Sequence, residues 1–150
     1  MSSVENTLNT SNQQTTRYNV NIIFLRDNKY KTMPYNNSSY DDVTLTAGTV
    51  MGRIGSSDYV VPCNAGSSDG SEYPVGILAE DVTAEASADT DIPICVSGEV
   101  AQEYINFDDP DDTLNTIVSS DGVNRRYKDL IDQIGVILVL GTDQTGYDNE

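Results

Sequence analysis

Between Val43 and Phe107 the apolar side chains come in short runs, and each run is cut before it can become a helix. The stretches "VTL", "VMGRI", "YVVPC", "YPVGILA" and "IPICV" are bounded by Gly, Asn, Ser or acidic residues. Short β-prone runs at this spacing, with glycine-bearing turns between them, predict a mainly β domain, a small barrel or sandwich. No apolar run approaches the roughly 20 residues of a membrane-spanning helix.

The runs carry detail. "VTLTAGTVMGRI" predicts two strands around a tight turn at Ala47-Gly48. Pro62 in "YVVPC" predicts an edge strand or a strand end. In "YPVGILAEDV" a glycine separates Val75 from Ile77. It leaves Val75, Ile77 and Ala79 to pack on a core, and the bare Gly76 admits a close neighbour or a bulge. "ADTD" predicts a turn, after which Ile92, Ile94 and Val96 share one strand face. Gly98 is expected to interrupt that strand before "EVAQEYINF", where Ile105 and Phe107 share a face.

Helix is expected late. "DDPDDTLNTIVSS" spaces Leu114, Ile117 and Val118 as a short helix behind Pro110. "NRRYKDLIDQIG" places Tyr127, Leu130, Ile131 and Ile134 at i, i+3, i+4 and i+7, with Asn124 as a cap and Gly135 as the stop. "VILVL" then reads as a buried closing strand. The fold expected is mainly β with one or two short helices.

The first third differs from the rest in charge. Residues 1–50 hold four acids (Glu5, Asp27, Asp41, Asp42) and four bases (Arg17, Arg26, Lys29, Lys31), so the formal charge of −16 sits wholly in the last hundred residues. A field of that sign repels nucleic acid and anionic membrane, so neither is expected as a partner. "MSSVENTLNTSNQQTT" is polar and aperiodic, with too little apolar area to offset its ordering entropy, and no secretory leader is expected. "RYNVNIIFLRDNKYKTMPYNNSSY" is aromatic and apolar: it is either the domain's first strand or an arm that orders on another protein.

No motif points to catalysis. Gly66-Ser67-Ser68-Asp69-Gly70 matches the nucleophile-elbow pattern, but it lies between strands and the chain has no histidine, so a turn is the reading. Asp108, Asp109, Asp111 and Asp112 lack the alternation and closing glutamate of a calcium loop. Cys63 and Cys95 without histidine make a poor zinc set and read as buried free thiols. Arg125, Arg126 and Lys128 form a basic cluster that is either a solvated helix face or a contact for an acidic partner. No catalytic residue, cofactor or metal is expected.

In order and spacing, "SSDGSEYPVGILAEDV" (67–82), "IPICVSGEV" (92–100) with its Ser97-Gly98, "NRRYKDLIDQIGVILV" (124–139) and "LTAGTVMGRI" (45–54) resemble the head decoration proteins of lambda-type tailed phages. The resemblance spans about residues 43–140; segment 18–42 is longer and more aromatic than in that family, and a tail follows Leu140. It implies a β-tulip body over 43–140, a flexible capsid-binding arm over 1–42 and a C-terminal tail over 141–150. It implies homotrimers at local three-fold positions on the outer surface of the expanded phage head, made in the host cytoplasm, that stabilise the shell against packaged-DNA pressure. The arm would pair with the major capsid protein through Tyr18, Val20, Ile22, Ile23, Phe24 and Leu25. The competing readings are a virion-surface or fibre module for a glycan or host receptor, and a carboxylate-dependent hydrolase.

Overall fold

The computed structural model describes residues 22–120 and 123–140. Its strands are β1 (Phe24–Asn37), β2 (Val43–Leu45), β3 (Val50–Arg53), β4 (Val60–Pro62), β5 (Pro74–Leu78), β6 (Val82–Ala84), β7 (Ala88–Ala101), β8 (Ile117–Ser120), β9 (Val123–Arg126) and β10 (Val136–Val139). Among the described residues one α-helix, α1 (Tyr127–Gln133), precedes β10, and a single 3-10 turn spans Gln102–Tyr104. The chain is mainly β and antiparallel, as the punctuated apolar runs predict.

The main sheet runs β1-β7-β5-β3-β4, with β10 added parallel to β7. β1 lines one edge of β7 from Phe24↔Val100 to Asn37↔Ala88. β5 and β10 therefore share the other edge, β5 at Cys95 and Ile94 and β10 from Gly98 to Ala101. The end strands β1 and β4 lie near one another without hydrogen-bonding, so the described strands form a curled sheet rather than a closed barrel. Two small sheets, β2-β6 and β8-β9, complete the fold.

Strand alternation sends side chains to both faces of the main sheet, and both are covered. On one face Val50, Ile77, Cys95 and Val100 pack with Tyr127, Leu130 and Ile131 of α1, Val118 of β8 and Val136 of β10. On the other, Met51, Val60, Leu78, Ile92 and Ile94 pack with Tyr35, Leu45 and Ala84. Ile92, Ile94 and Val96 do share a face. The helical spacing also holds: Tyr127, Leu130 and Ile131 are buried, Ile134 packs beside them, and Gly135 ends the helix at φ 101°.

Several expectations are corrected. The boundary at residue 43 does not separate an arm from the body, because Phe24–Asn37 is a full strand of the main sheet. β2 and β3 flank the turn at Ala47-Gly48 but do not form a hairpin: β2 pairs with β6, which buries Leu45 and Ala84 over the second core. Val75 and Ile77 point to different cores, because β3 slips one residue against β5 between Met51 and Gly52 and leaves Val75 as a bulge. "ADTD" and Gly98 lie within β7, which runs unbroken because β1 supplies partners along its length. No helix forms over 110–118. There the Asp109 carboxylate accepts from Asp111 N–H at 2.9 Å and the Thr116 hydroxyl from Thr113 N–H at 2.7 Å, replacing helical bonds with turns. Asn124 lies in β9, and α1 starts after Arg126 without a side-chain cap.

Cys63 and Cys95 are free and buried in the same core. Cys63 N–H bonds to Val50, Val50 pairs with Ile77, and Ile77 pairs with Cys95. The thiols thus end a row crossing three strand spacings of about 4.8 Å each, beyond disulfide reach. Burial, with Asp112 and Glu72 nearby, pushes the Cys63 thiol far up, which makes it a poor nucleophile.

Candidate functional site

The least regular part of the main sheet is the C-terminal end of β7, where β1, β10 and the exit of α1 meet. Opposite Ser97–Val100 the β1 register shifts repeatedly between Phe24 and Tyr30. Asp27 takes a positive φ of 57° and Gly98 one of 109°. A side chain at Gly98 would strike the Asp27 carbonyl at 2.6 Å and the Asn28 Cα at 2.7 Å, so only glycine lets the two strands approach. On its other side Gly98 N–H donates to the Gly135 carbonyl at 3.1 Å.

Asn28 holds the kink. Its side-chain amide donates to the Glu99 carbonyl at 3.0 Å and reaches the Cys95 sulfur at 3.6 Å. The Cys95 thiol in turn donates to the Ser97 carbonyl at 3.2 Å. Burial raises the Cys95 pKa, and hydrogen bonds to the sulfur from the Asn28 amide and from the Ser97 and Lys29 backbone offset part of that rise. Arg26 and Glu99 form an exposed ion pair at 3.5 Å.

This end of β7 is also where both described chain ends arrive. Ala101 N–H donates to the Ile23 carbonyl at 2.7 Å on one edge, and Ala101 pairs with Val139 on the other. The described segment thus begins and ends on the two flanks of one strand end. Ile22, Ile137 and Leu140 leave about half of their surface exposed there.

The expected arm residues divide at this point. Tyr18 and Val20 lie outside the described residues, as do the polar start of the chain and the tail over 141–150. Ile22 is exposed and Leu25 half-buried. Ile23 and Phe24 pack against the helix-side core, and the Phe24 ring meets Tyr30 edge-on at 5.9 Å. So two of the four described candidates are committed to this chain's own core. The junction residues Asp27 and Asn28 escaped the sequence reading, although an Asp-Asn pair inside an aromatic, apolar run signals a bulge.

The other motifs are structural. In the 66–70 segment the Asp69 carboxylate accepts from Ser71 N–H at 3.0 Å, the bond of an Asx turn. In the acidic run Asp112 accepts from Ala65 N–H at 3.2 Å, tying two loops together. Among the described residues no cluster of cysteine, aspartate or glutamate is arranged to hold a metal ion.

Among known proteins, residues 35–117 match the pattern of the family described as bacteriophage lambda head decoration protein D. No curated protein matches the chain. The family match covers more than half of the sequence and takes in β3, β4, β5 and β7 with Gly98, while Asp27, Asn28, Gly135 and the resembling segment over 124–139 lie outside it. The chain belongs to the bacteriophage lambda head decoration protein D family, a structural protein of the phage capsid.

Proposed function

We propose that this protein binds the outside of the expanded head as trimers at local three-fold positions and stabilises the shell against packaged-DNA pressure. In this reading the residues preceding β1 form the capsid-binding arm and pair with a strand of the major capsid protein. The protein is made in the host cytoplasm and joins the head after expansion. The observation that carries the reading is the convergence of both chain ends on the Ala101 end of β7. That end can face a shell while the rest of the body faces outward.

An arm of this kind adds a strand through main-chain hydrogen bonds, with alternate side chains such as Tyr18, Val20 and Ile22 filling pockets. A single arm that orders on binding is weak. Three on one trimer act at high effective concentration and raise avidity by roughly 10² to 10⁴.

The test is truncation of residues 1–21, which leaves Ile23 and Phe24 in the core. The shortened protein is expected to keep its melting temperature and to lose decoration of expanded heads. Undiminished decoration by the truncated protein would refute the arm. For the full chain on purified virions, a copy ratio to the major capsid protein of roughly one is expected if a trimer occupies every local three-fold position.

A further inference from the structure

The hairpin β8-β9 has the marks of a contact surface. Among the described strands it pairs with nothing beyond itself. A two-stranded ribbon is marginal in water unless one face is packed. Here Val118 is the anchor, 2% exposed in the helix-side core. The opposite face carries Ile117, 53% exposed, directly across from Arg126. All four residues of β9 are exposed. The family match ends at residue 117, the first residue of β8, so the rest of the hairpin lies beyond the matched segment.

Its charge is opposite to that of the molecule. Arg126 shares the outward face with Ile117, Arg125 is exposed opposite Val118 at the edge of the ribbon, and Lys128 follows in α1, on a chain of formal charge −16. The salt bridge from Arg126 to Asp129 is exposed at 3.4 Å, and a pair so solvated is exchanged at little cost. An exposed branched aliphatic beside a guanidinium is the composition of an interface centre with a polar rim.

We propose that the outward face of β8-β9 docks on the acidic body of a second copy of this chain. The complementarity is contained in the sequence: each copy offers one basic ribbon and a strongly acidic remainder, and pairing one with the other relieves the repulsion between copies. Ribbon on body is a head-to-tail contact, which closes into a ring when the rotation permits. The inference builds on the reading that copies sit side by side on a head, and its test separates the two.

The full chain, with Ile117 replaced by the photoreactive residue p-benzoylphenylalanine, is irradiated both on decorated heads and as concentrated free protein. A product with the mass of two or more copies in either preparation is the expected result. Its yield should fall about tenfold or more with Arg125→Glu plus Arg126→Glu, and fall also in ~1 M salt, where the screening length is about 3 Å. Adducts only with another capsid protein, or none in either preparation, would overturn the proposal. A protein that links to itself in solution but does not decorate heads would uphold this contact and refute the proposed function.

Discussion

The two halves of β7 are built differently. From Ala88 to Cys95 it pairs with β1 residue for residue, and Ile92 and Ile94 alternate into the sheet-side core. From Ser97 to Val100 the same two strands are held by a kinked ladder, two residues at positive φ and the Asn28 side chain. The regular half needs only strand alternation and one continuous partner. The irregular half must fit β1, β10 and the end of α1 around one backbone position, and it does so by giving up ladder regularity at Gly98. The kinked half is also the one where both described chain ends arrive. In this molecule the departure from regular pairing lies where the proposed capsid contact begins, not in the part that only packs.

This contrast can be broken at three positions. The largest effect is expected at the junction. Gly98→Ala combines a positive φ with a backbone collision, and should cost about 3 kcal/mol or more in chemical denaturation. A loss below about 1 kcal/mol would show that the junction relaxes freely. Against the regular half, Gly76→Ala in β5 should cost about 1–3 kcal/mol. A Cβ there would strike Ile94 Cγ2 and the Cys95 backbone carbonyl, a collision as close as that at Gly98, but Gly76 has no positive φ to add to it. Equal losses at the two glycines would erase the distinction between the halves.

The smallest effect concerns the far end of the regular half. The Asp89 carboxylate accepts from the Asn36 amide at 2.6 Å and from the Tyr59 hydroxyl at 2.7 Å, joining β7 to β1 and to the residue before β4. Asn36 first, then Tyr59, holds the Asp89 pKa below its ordinary value. A lowered folded pKa means that the contribution is complete above the ordinary carboxylate pKa of about 3.9 and is lost as pH falls through the folded value. Asp89→Asn should therefore lower the melting temperature slightly at neutral pH, and the gap from wild type should close on acidification toward pH ~2. A gap that stays constant with pH would remove the clasp from the account.

Much of the candidate site could be read in advance, though not its wiring. Ser97-Gly98 and the segment around Ile22–Leu25 stood out as motif and as apolar run. Their convergence did not, because Ile23 and Ala101 meet from distant parts of the sequence. The expected role of Ile23 and Phe24 in an arm shifted to the core for the same reason. An apolar run shows that it will be buried, but not whether its own domain or another protein buries it.

The sequence by itself determined the strands over 43–45, 50–53, 60–62, 74–78 and 136–139, which face of α1 is apolar, that Gly135 stops the helix and that Ile92, Ile94 and Val96 look the same way. These follow from periodicity and turn chemistry within a few residues, where backbone geometry dictates the direction of each side chain. Only the tertiary structure decided that β2 pairs with β6, that Val75 bulges away from Ile77, that β7 runs through Gly98, and that residues 110–116 turn and 117–118 enter β8 instead of coiling. Those outcomes depend on which distant surface is left uncovered and on polar side chains competing for backbone groups. Hydrophobic burial rewards any apolar partner alike, so local sequence leaves the choice of partner to the assembled fold.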